Sequence, residues 1–163
     1  MTIISDSTGL ILLAKVGILE IFTEKNEIIV PEKVYEEIRK GKEKGRADAF
    51  VIERLVAEKK IKVKKTKEST KKYIEKLFNI KKGELEVIAL AFKTKNSILT
   101  DDMKCIRAAK SLDLEFMNSL GVIVSLQHKG RINKSKALEA INKLEEFGWY
   151  TQEIIKTHRG ALQ

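Results

Sequence analysis

The stretch IISDSTGLILLAK, residues 3–15, decides the fold prediction. It starts with a short apolar run, continues through a cluster of residue types that cap helices, and ends in a longer apolar run. That order predicts a strand, a turn and a helix. Asp6 therefore stands where the first strand ends and the first helix begins.

The same alternation continues along the chain. Further strands are predicted over 28–30, 61–63, 97–100 and 114–117, and helices over 18–22, 32–42, 47–59, 70–78, 85–92, 103–112, 120–128, 135–147 and 151–162. This pattern predicts a parallel sheet with helices on both faces, whose ligand site lies off the carboxyl ends of the strands. We expect an α/β domain over 1–130 and a helical extension over 131–163. The extension either packs on that domain or mediates association with another chain.

Composition narrows the class of protein. The 163 residues fit one domain, and 43% apolar residues suit a folded chain. The single cysteine, Cys105, excludes an internal disulfide and a multi-cysteine zinc site, suits a reducing interior, and is expected to be buried. Because the sequence has neither a membrane-spanning apolar run nor a signal peptide, we expect a cytoplasmic protein that does not engage a membrane.

Positive charge is concentrated in one segment. The net charge is +9, and residues 58–82 hold eleven lysines and three glutamates. A clustered basic stretch suits contact with a phosphate backbone. The alternative is a solvated lysine-rich surface of the kind that heat-adapted proteins carry.

Five carboxylates have positions that suggest chemistry. Asp6, Asp101 and Asp102 follow predicted strands, Glu84 begins a mostly apolar helix, and Glu37 flanks the apolar stripe of another. With no histidine nearby in sequence and a single cysteine that is expected to be buried, such a set favours Mg²⁺ or Mn²⁺ over zinc. Each has a plainer alternative: Asp6 and Asp101 as helix caps, Glu84 and Asp102 as partners of helix dipoles, and Glu37 as a solvated side chain.

Four segments together resemble the motifs of the PIN-domain family. They are DSTGLILLAK at 6–15, VPEKVYEEI at 30–38, GELEVIALA at 83–91, and LTDD at 99–102 with Arg107 and Ala108 beyond. The third has the form used by a prokaryotic branch, largely archaeal and cyanobacterial. The resemblance spans roughly residues 2–130, with the motifs in the family's order.

The resemblance implies a three-layer α/β/α sandwich with a central parallel sheet and an acidic pocket for divalent ions. It implies RNA cleavage that depends on Mg²⁺ or Mn²⁺, often by toxins of toxin–antitoxin pairs. Carried over by motif, the catalytic carboxylates are Asp6, Glu37, Glu84 and Asp102, and the metal ligands are Asp6, Glu84, Asp101 and Asp102. The family's Thr-x-Asp spacing aligns its aspartate with Asp102, which favours Asp101 as a supporting group or a helix cap. RNA, an antitoxin protein and a second copy of the chain are the expected partners, with aromatic residues of the C-terminal helices suited to an interface.

Other polar residues are given supporting roles. Ser7, Thr8 and Ser119 are predicted to orient the carboxylates, with local helix capping as the alternative. Lys64, Lys65, Lys71, Lys72 and Arg107 are predicted to contact RNA, and Arg107 could equally form a surface ion pair. His128 and His158 have no catalytic partner in the sequence and are expected to be structural or exposed.

Two other functions stay open. A strand-end aspartate followed later by Thr-Asp-Asp also suggests a haloacid-dehalogenase-like phosphatase, but that chemistry needs a second aspartate where Thr8 stands. A PIN-like module that binds RNA or a protein without cutting is the other alternative. In the nuclease hypothesis, an ion held by Asp6 and Asp102 generates a hydroxide for in-line attack, and the clustered carboxylates have raised pKa values in its absence.

Overall fold

Five short strands form one parallel sheet in the computed structural model, which describes residues 1–147 and 149–163. The strands are Thr2–Ser5 (β1), Glu27–Pro31 (β2), Ile61–Lys64 (β3), Ser97–Leu99 (β4) and Phe116–Met117 (β5). Their order is β3-β2-β1-β4-β5, and all four pairings are parallel. The predicted parallel sheet is confirmed.

Helices connect the strands and extend the chain. They are Ser7–Lys15 (α1), Leu19–Thr23 (α2), Glu32–Glu43 (α3), Ala47–Ala57 (α4), Glu68–Leu77 (α5), Lys82–Thr94 (α6), Met103–Ser111 (α7), Ser119–His128 (α8), Lys134–Glu146 (α9) and Gln152–Gly160 (α10). α6 packs over β1, β2 and β4 and contacts α5 and α7, whereas α1 packs with α4 and α8. Right-handed crossovers that run in opposite directions from β1 place these two groups on opposite faces. The three-layer α/β/α architecture is therefore confirmed.

The direction of the connections reverses at β1. From β1 the chain moves outward to β2 and β3, and it returns to the other side of β1 with β4 and β5. The carboxyl ends of β1 and β4 therefore form a switch point, from which α1 and α7 leave on opposite faces. In open parallel sheets this is where ligands bind.

A close approach between β4 and α1 holds this switch point together. The backbone N–H of Asp6 donates to the carbonyl of Leu99 at 3.1 Å. A Cβ atom on Gly9 would lie 2.7 Å from Cγ and 3.2 Å from the carbonyl oxygen of Leu99. Glycine is therefore required in the DSTG turn, because any side chain at Gly9 would push the first turn of α1 away from β4.

The boundaries differ from the prediction where polar residues take part in the site. The strand predicted over 97–100 ends at Leu99, and the one over 114–117 is reduced to Phe116–Met117. Cys105 is fully buried, as predicted. The C-terminal helices contribute Ala137, Ile141, Leu144 and Ile155 to the same core as the sheet. Of the described helices, none is long and apolar enough to cross a membrane.

Candidate active site at the carboxyl ends of β1 and β4

The Asp6 carboxylate begins α1 and is surrounded by hydrogen-bond donors. One oxygen accepts from the Gly9 N–H at 2.9 Å, the Thr8 hydroxyl lies 2.9 Å from both oxygens, and the Thr100 hydroxyl donates to the second oxygen. A carboxylate offers about four lone-pair positions. Three donors therefore orient Asp6 and leave it capacity for one further ligand.

Burial changes the acidity of Asp6. The residue is only 4% exposed, and this burial raises its pKa to about 7 from the ordinary 3.8, against the lowering effect of the bonds from Gly9, Thr100 and Thr8. The charge of nearby Asp101 adds a smaller increase. Near neutral pH the group therefore divides between its acid and its carboxylate, and a bound cation would favour the charged form.

Asp102 caps α7, the helix that follows the neighbouring strand β4. One of its oxygens accepts from the N–H groups of Lys104 at 2.9 Å and Cys105 at 3.0 Å, and its own N–H donates to the Thr100 hydroxyl at 3.1 Å. The same hydroxyl contacts Asp6, so Thr100 joins the two aspartates. The cap of this helix is Asp102 and not Asp101, which corrects the capping alternative considered for Asp101.

Asp101 is bonded into the scaffold. Its buried carboxylate accepts from the Ser119 N–H at 3.1 and 3.2 Å, from the Ser119 hydroxyl at 2.6 Å, and from the Tyr150 hydroxyl. Burial raises the pKa of Asp101, and these bonds partly oppose the increase. Because both oxygens are already engaged, we assign Asp101 a positioning role and omit it from the metal ligands that we propose below.

Glu37 and Glu84 form a second carboxylate pair, at the first turn of α6. Gly83 lies against Glu37: a Cβ there would be 3.0 and 3.3 Å from the two oxygens of Glu37. Burial and then the charge of Glu84 raise the pKa of Glu37, whereas the nearby Gly83 N–H lowers it. The absence of a side chain at Gly83 is what allows α3 to bring Glu37 to this position.

The buried thiol of Cys105 is influenced by Asp6 and Asp102 and by one member of the second pair, Glu84. Burial is the main cause that raises the pKa of Cys105, and the charges of Asp6, Asp102 and Glu84 each raise it further. These three carboxylates, which follow β1, follow β4 and lie in the first turn of α6, are thus all near enough to act on the charge of the same thiol. The sequence separates Asp6 from Asp102 by more than half the chain, and the sheet order is what brings them together.

The donor set fits a hard divalent cation in an open site. Within residues 1–147 and 149–163, no three histidine, cysteine or acidic side chains converge closely enough to enclose an ion. Mg²⁺ commonly keeps several waters and binds through one or two carboxylates. Asp6 and Asp102, joined through Thr100, supply such a pair, and Glu37 and Glu84 supply oxygen donors close by.

The predicted RNA-contact residues divide into free and paired side chains. Lys64, Lys65, Lys72 and Arg107 are exposed and form no ion pair with the described residues. Lys71, by contrast, lies 2.9 Å from Glu68 and 3.2 Å from Glu86. Lys64 ends β3 in register with Pro31 of β2, which places it on the same edge of the sheet as Asp6.

A cleft of about 300 Å³ lies beside Glu84, and the sequence did not point to it. It is lined by Asn79, Ile80, Lys81, Lys82, Glu84 and Lys104. Lys104 is the informative member, because it stands two residues after Asp102 on a different element from Lys81 and Lys82. Three cations beside the carboxylates could hold phosphate groups of a polyanion.

The remaining predicted residues have the following contacts. The hydroxyl of Thr8 donates to Asp6 and that of Ser119 to Asp101, whereas the described hydrogen bonds include none from the Ser7 hydroxyl to a carboxylate. His128 and His158 contact the carbonyls of Ala161 at 2.7 Å and Ile154 at 2.8 Å, which are local structural roles. Sequence reasoning considered Trp149 only as an aromatic residue suited to an interface, and it did not identify Tyr150 or the donor role of Thr100. Only Thr100 had a signal, its position between β4 and Asp102.

Comparisons with known proteins identify the family and the fold. A family model described as a PIN domain matches residues 2–159. No curated protein gives a match to the chain. Five chains of solved structures match. One is the crystal structure of VapBC2 from Rickettsia felis bound to a DNA fragment from their promoter, with a TM-score of 0.50 and 16% identity over 72% of this chain and 98% of that one. At that identity the likeness concerns the fold alone.

Proposed function

Because the chain belongs to the PIN-domain family, we propose that it is a nuclease that uses Mg²⁺ or Mn²⁺ to hydrolyse phosphodiester bonds of RNA. One observation carries the proposal: Asp6 and Asp102 begin helices on opposite faces of the switch point and share the Thr100 hydroxyl. The pair stands where an open parallel sheet binds its ligand.

The carboxylates have separate tasks in the proposed mechanism. Asp6 and Asp102 would hold the cation, oriented by Thr8, Gly9 and Thr100. A divalent ion lowers the pKa of water and stabilises the charge of a phosphodiester during in-line displacement. Glu37, whose pKa is raised first by burial and then by the charge of Glu84, is suited to accept the proton that the attacking water loses.

Lysines would bind the substrate backbone on both sides of this centre. Lys64, Lys65 and Lys72 approach from the β3 side, and Lys81, Lys82 and Lys104 line the cleft beside Glu84. The cationic groups compensate for an acidic centre that would otherwise repel a polyanion. Arg107 is a further phosphate contact in this proposal.

We also propose a biological setting, a toxin that acts in the cytoplasm and is held by an antitoxin protein. The solved VapBC2 complex, a relative in fold, supports such a partner. A homodimer stays a prediction, and its interface would use the C-terminal helices. The phosphatase alternative is not carried forward, because Thr8 stands at its required second aspartate and donates to Asp6.

A module that binds RNA without cutting it is the second candidate. One observation favours it: within the described residues no three ligating side chains enclose an ion. The two candidates make the same prediction for RNA binding and opposite predictions for hydrolysis.

Cleavage of a fluorogenic single-stranded RNA with Mn²⁺ separates them. The wild type should cleave, Asp6→Asn should lose at least roughly a hundredfold in rate, and Glu75→Gln, which alters an exposed carboxylate of α5, should keep the wild-type rate. Equal cleavage by wild type and Asp6→Asn would refute the assigned site. RNA binding without cleavage by any variant would favour the binding module.

A further inference from the structure

Trp149 presents half of its surface to solvent next to the switch point, where Asp6 and Asp102 lie. The side chain is 50% exposed, although its indole N–H is engaged at 3.1 Å with the backbone carbonyl of Asp101. Asp101 immediately precedes Asp102, one of the two proposed metal ligands. The tryptophan is therefore tethered one residue from the reacting centre.

Two hydrogen bonds, one from the ring and one from the next residue, hold the segment that carries this ring. Tyr150, the next residue, donates its hydroxyl to the carboxylate of the same Asp101. The segment is thus held at both the main chain and the side chain of one buried residue. An exposed indole whose only polar group is already bonded offers water an apolar face, which has no role in packing the core.

The surroundings suit a nucleotide. Met103, the residue after Asp102, is 58% exposed, and Lys104 follows it in the basic cleft beside Glu84. The exposed ring of Phe147, by contrast, already has a cation against it, because the Lys15 ammonium lies 5.0 Å from its ring centroid. Trp149 is bonded to Asp101, and Lys104 stands three residues after Asp101 in the chain. Proteins hold unpaired strands by stacking bases on aromatic faces and by binding the phosphates with cations.

We propose that Trp149 binds the RNA by stacking on an unpaired base next to the bond that is cut. This inference rests on the proposed function and adds to it a residue that contacts the substrate. A base within a duplex has both faces covered by its neighbours, so a paired strand cannot offer one to the indole.

The chain has one tryptophan, so its emission reports this contact directly. A fluorescein-labelled single-stranded RNA is titrated in EDTA, which keeps the RNA intact, with anisotropy and tryptophan emission recorded together. Emission should be quenched in proportion to binding. The same sequence as a duplex should leave it unchanged.

Variants test the energetic contribution of stacking. Trp149→Ala should weaken single-strand binding about tenfold, whereas Trp149→Phe, which keeps an aromatic face, should stay within about threefold of wild type. Phe50→Ala, at an equally exposed aromatic on α4 (49%), should bind like wild type. Thermal unfolding of each variant verifies that the fold is intact.

Three results would overturn the inference. They are a rise in anisotropy without quenching, wild-type affinity in Trp149→Ala, and equal quenching by the duplex. If cleavage depends on Asp6 while emission does not respond, stacking alone is refuted. If the wild type neither binds nor cleaves any RNA, the proposed function fails together with it.

Discussion

The hydroxyl of Thr100, at the end of β4, donates to the carboxylate of Asp6, at the end of β1, and accepts the N–H of Asp102. One side chain therefore sets the spacing of two aspartates that lie about a hundred residues apart in sequence. The contact exists because β1 and β4 are neighbours in the sheet.

Replacing the Thr100 hydroxyl should change the pKa of Asp6. Thr100→Val removes a donor to a charged group, so we expect the pKa of Asp6 to rise by about one unit. The pH at half-maximal Mn²⁺-dependent cleavage should rise by a similar amount, whereas Thr100→Ser should retain the wild-type profile. An unchanged profile in the valine variant would mean that this hydrogen bond does not tune Asp6.

The buried Asp6 should make the metal-free protein less stable at higher pH. Its pKa is about 7 in the folded chain against an ordinary 3.8, so between these values the folded state keeps a proton that the unfolded state has released. The free energy of unfolding should therefore decrease as pH rises from about 4 to about 7, by up to roughly 4 kcal/mol. Urea denaturation in EDTA at pH 5 and pH 8 measures it.

Asp6→Asn is the control for that pH dependence. Asparagine can still cap α1 but does not ionise, so this variant should show a smaller decrease, left to Asp101 and Glu37, and exceed the wild type in stability at pH 8. The same slope in both proteins would assign the effect to other groups.

Adjacent aspartates should respond differently to amide substitution. Asp101→Asn weakens the bonds from Ser119 and Tyr150 and should lower the free energy of unfolding by about 1–3 kcal/mol, with cleavage within tenfold of wild type at low temperature. Asp102→Asn keeps a good helix cap and should cost less than about 0.5 kcal/mol, yet lower cleavage by roughly a hundredfold. Loss of cleavage in a fully folded Asp101→Asn protein would restore Asp101 as a metal ligand.

Gly83→Ala tests the placement of Glu37. The added Cβ would lie 3.0 Å from a Glu37 oxygen and 3.2 Å from a Val34 methyl, so the flexible glutamate should move. We expect a stability change below about 1 kcal/mol, because the gain in helix propensity offsets the crowding, and cleavage at saturating Mn²⁺ that is roughly tenfold slower. Gly160→Ala, where the Cβ meets nothing within 4 Å, is the matched control.

Lysines that form no ion pair should each contribute more to RNA binding than Lys71, which is paired. Replacing Lys64, Lys65 and Lys72 with alanine should reduce the slope of log affinity against log salt by about 2, since each neutralised phosphate of a single strand contributes about 0.7. Lys71→Ala should change the slope less, because Glu68 and Glu86 already compensate that charge. Equal effects per lysine, measured by anisotropy, would contradict this ranking.

The sequence by itself determined the elements and the acidic end of β1. Apolar runs and capping residues are local signals, so the strands, the helices and the position of Asp6 between β1 and α1 followed from periodicity alone. The motif order similarly indicated the family. Boundaries shifted by up to three residues: α6 begins at Lys82 and not at Leu85, and β5 is reduced to Phe116–Met117.

Only the tertiary structure decided what each carboxylate contacts. The motif spacing favoured Asp102 over Asp101 as the ligand, but it did not show that Ser119 and Tyr150 bind Asp101 or that Asp102 is the cap of α7. The raised pKa of Asp6 likewise depends on burial by elements far away in sequence. Long-range packing and desolvation set these properties, and neither is encoded in a local pattern.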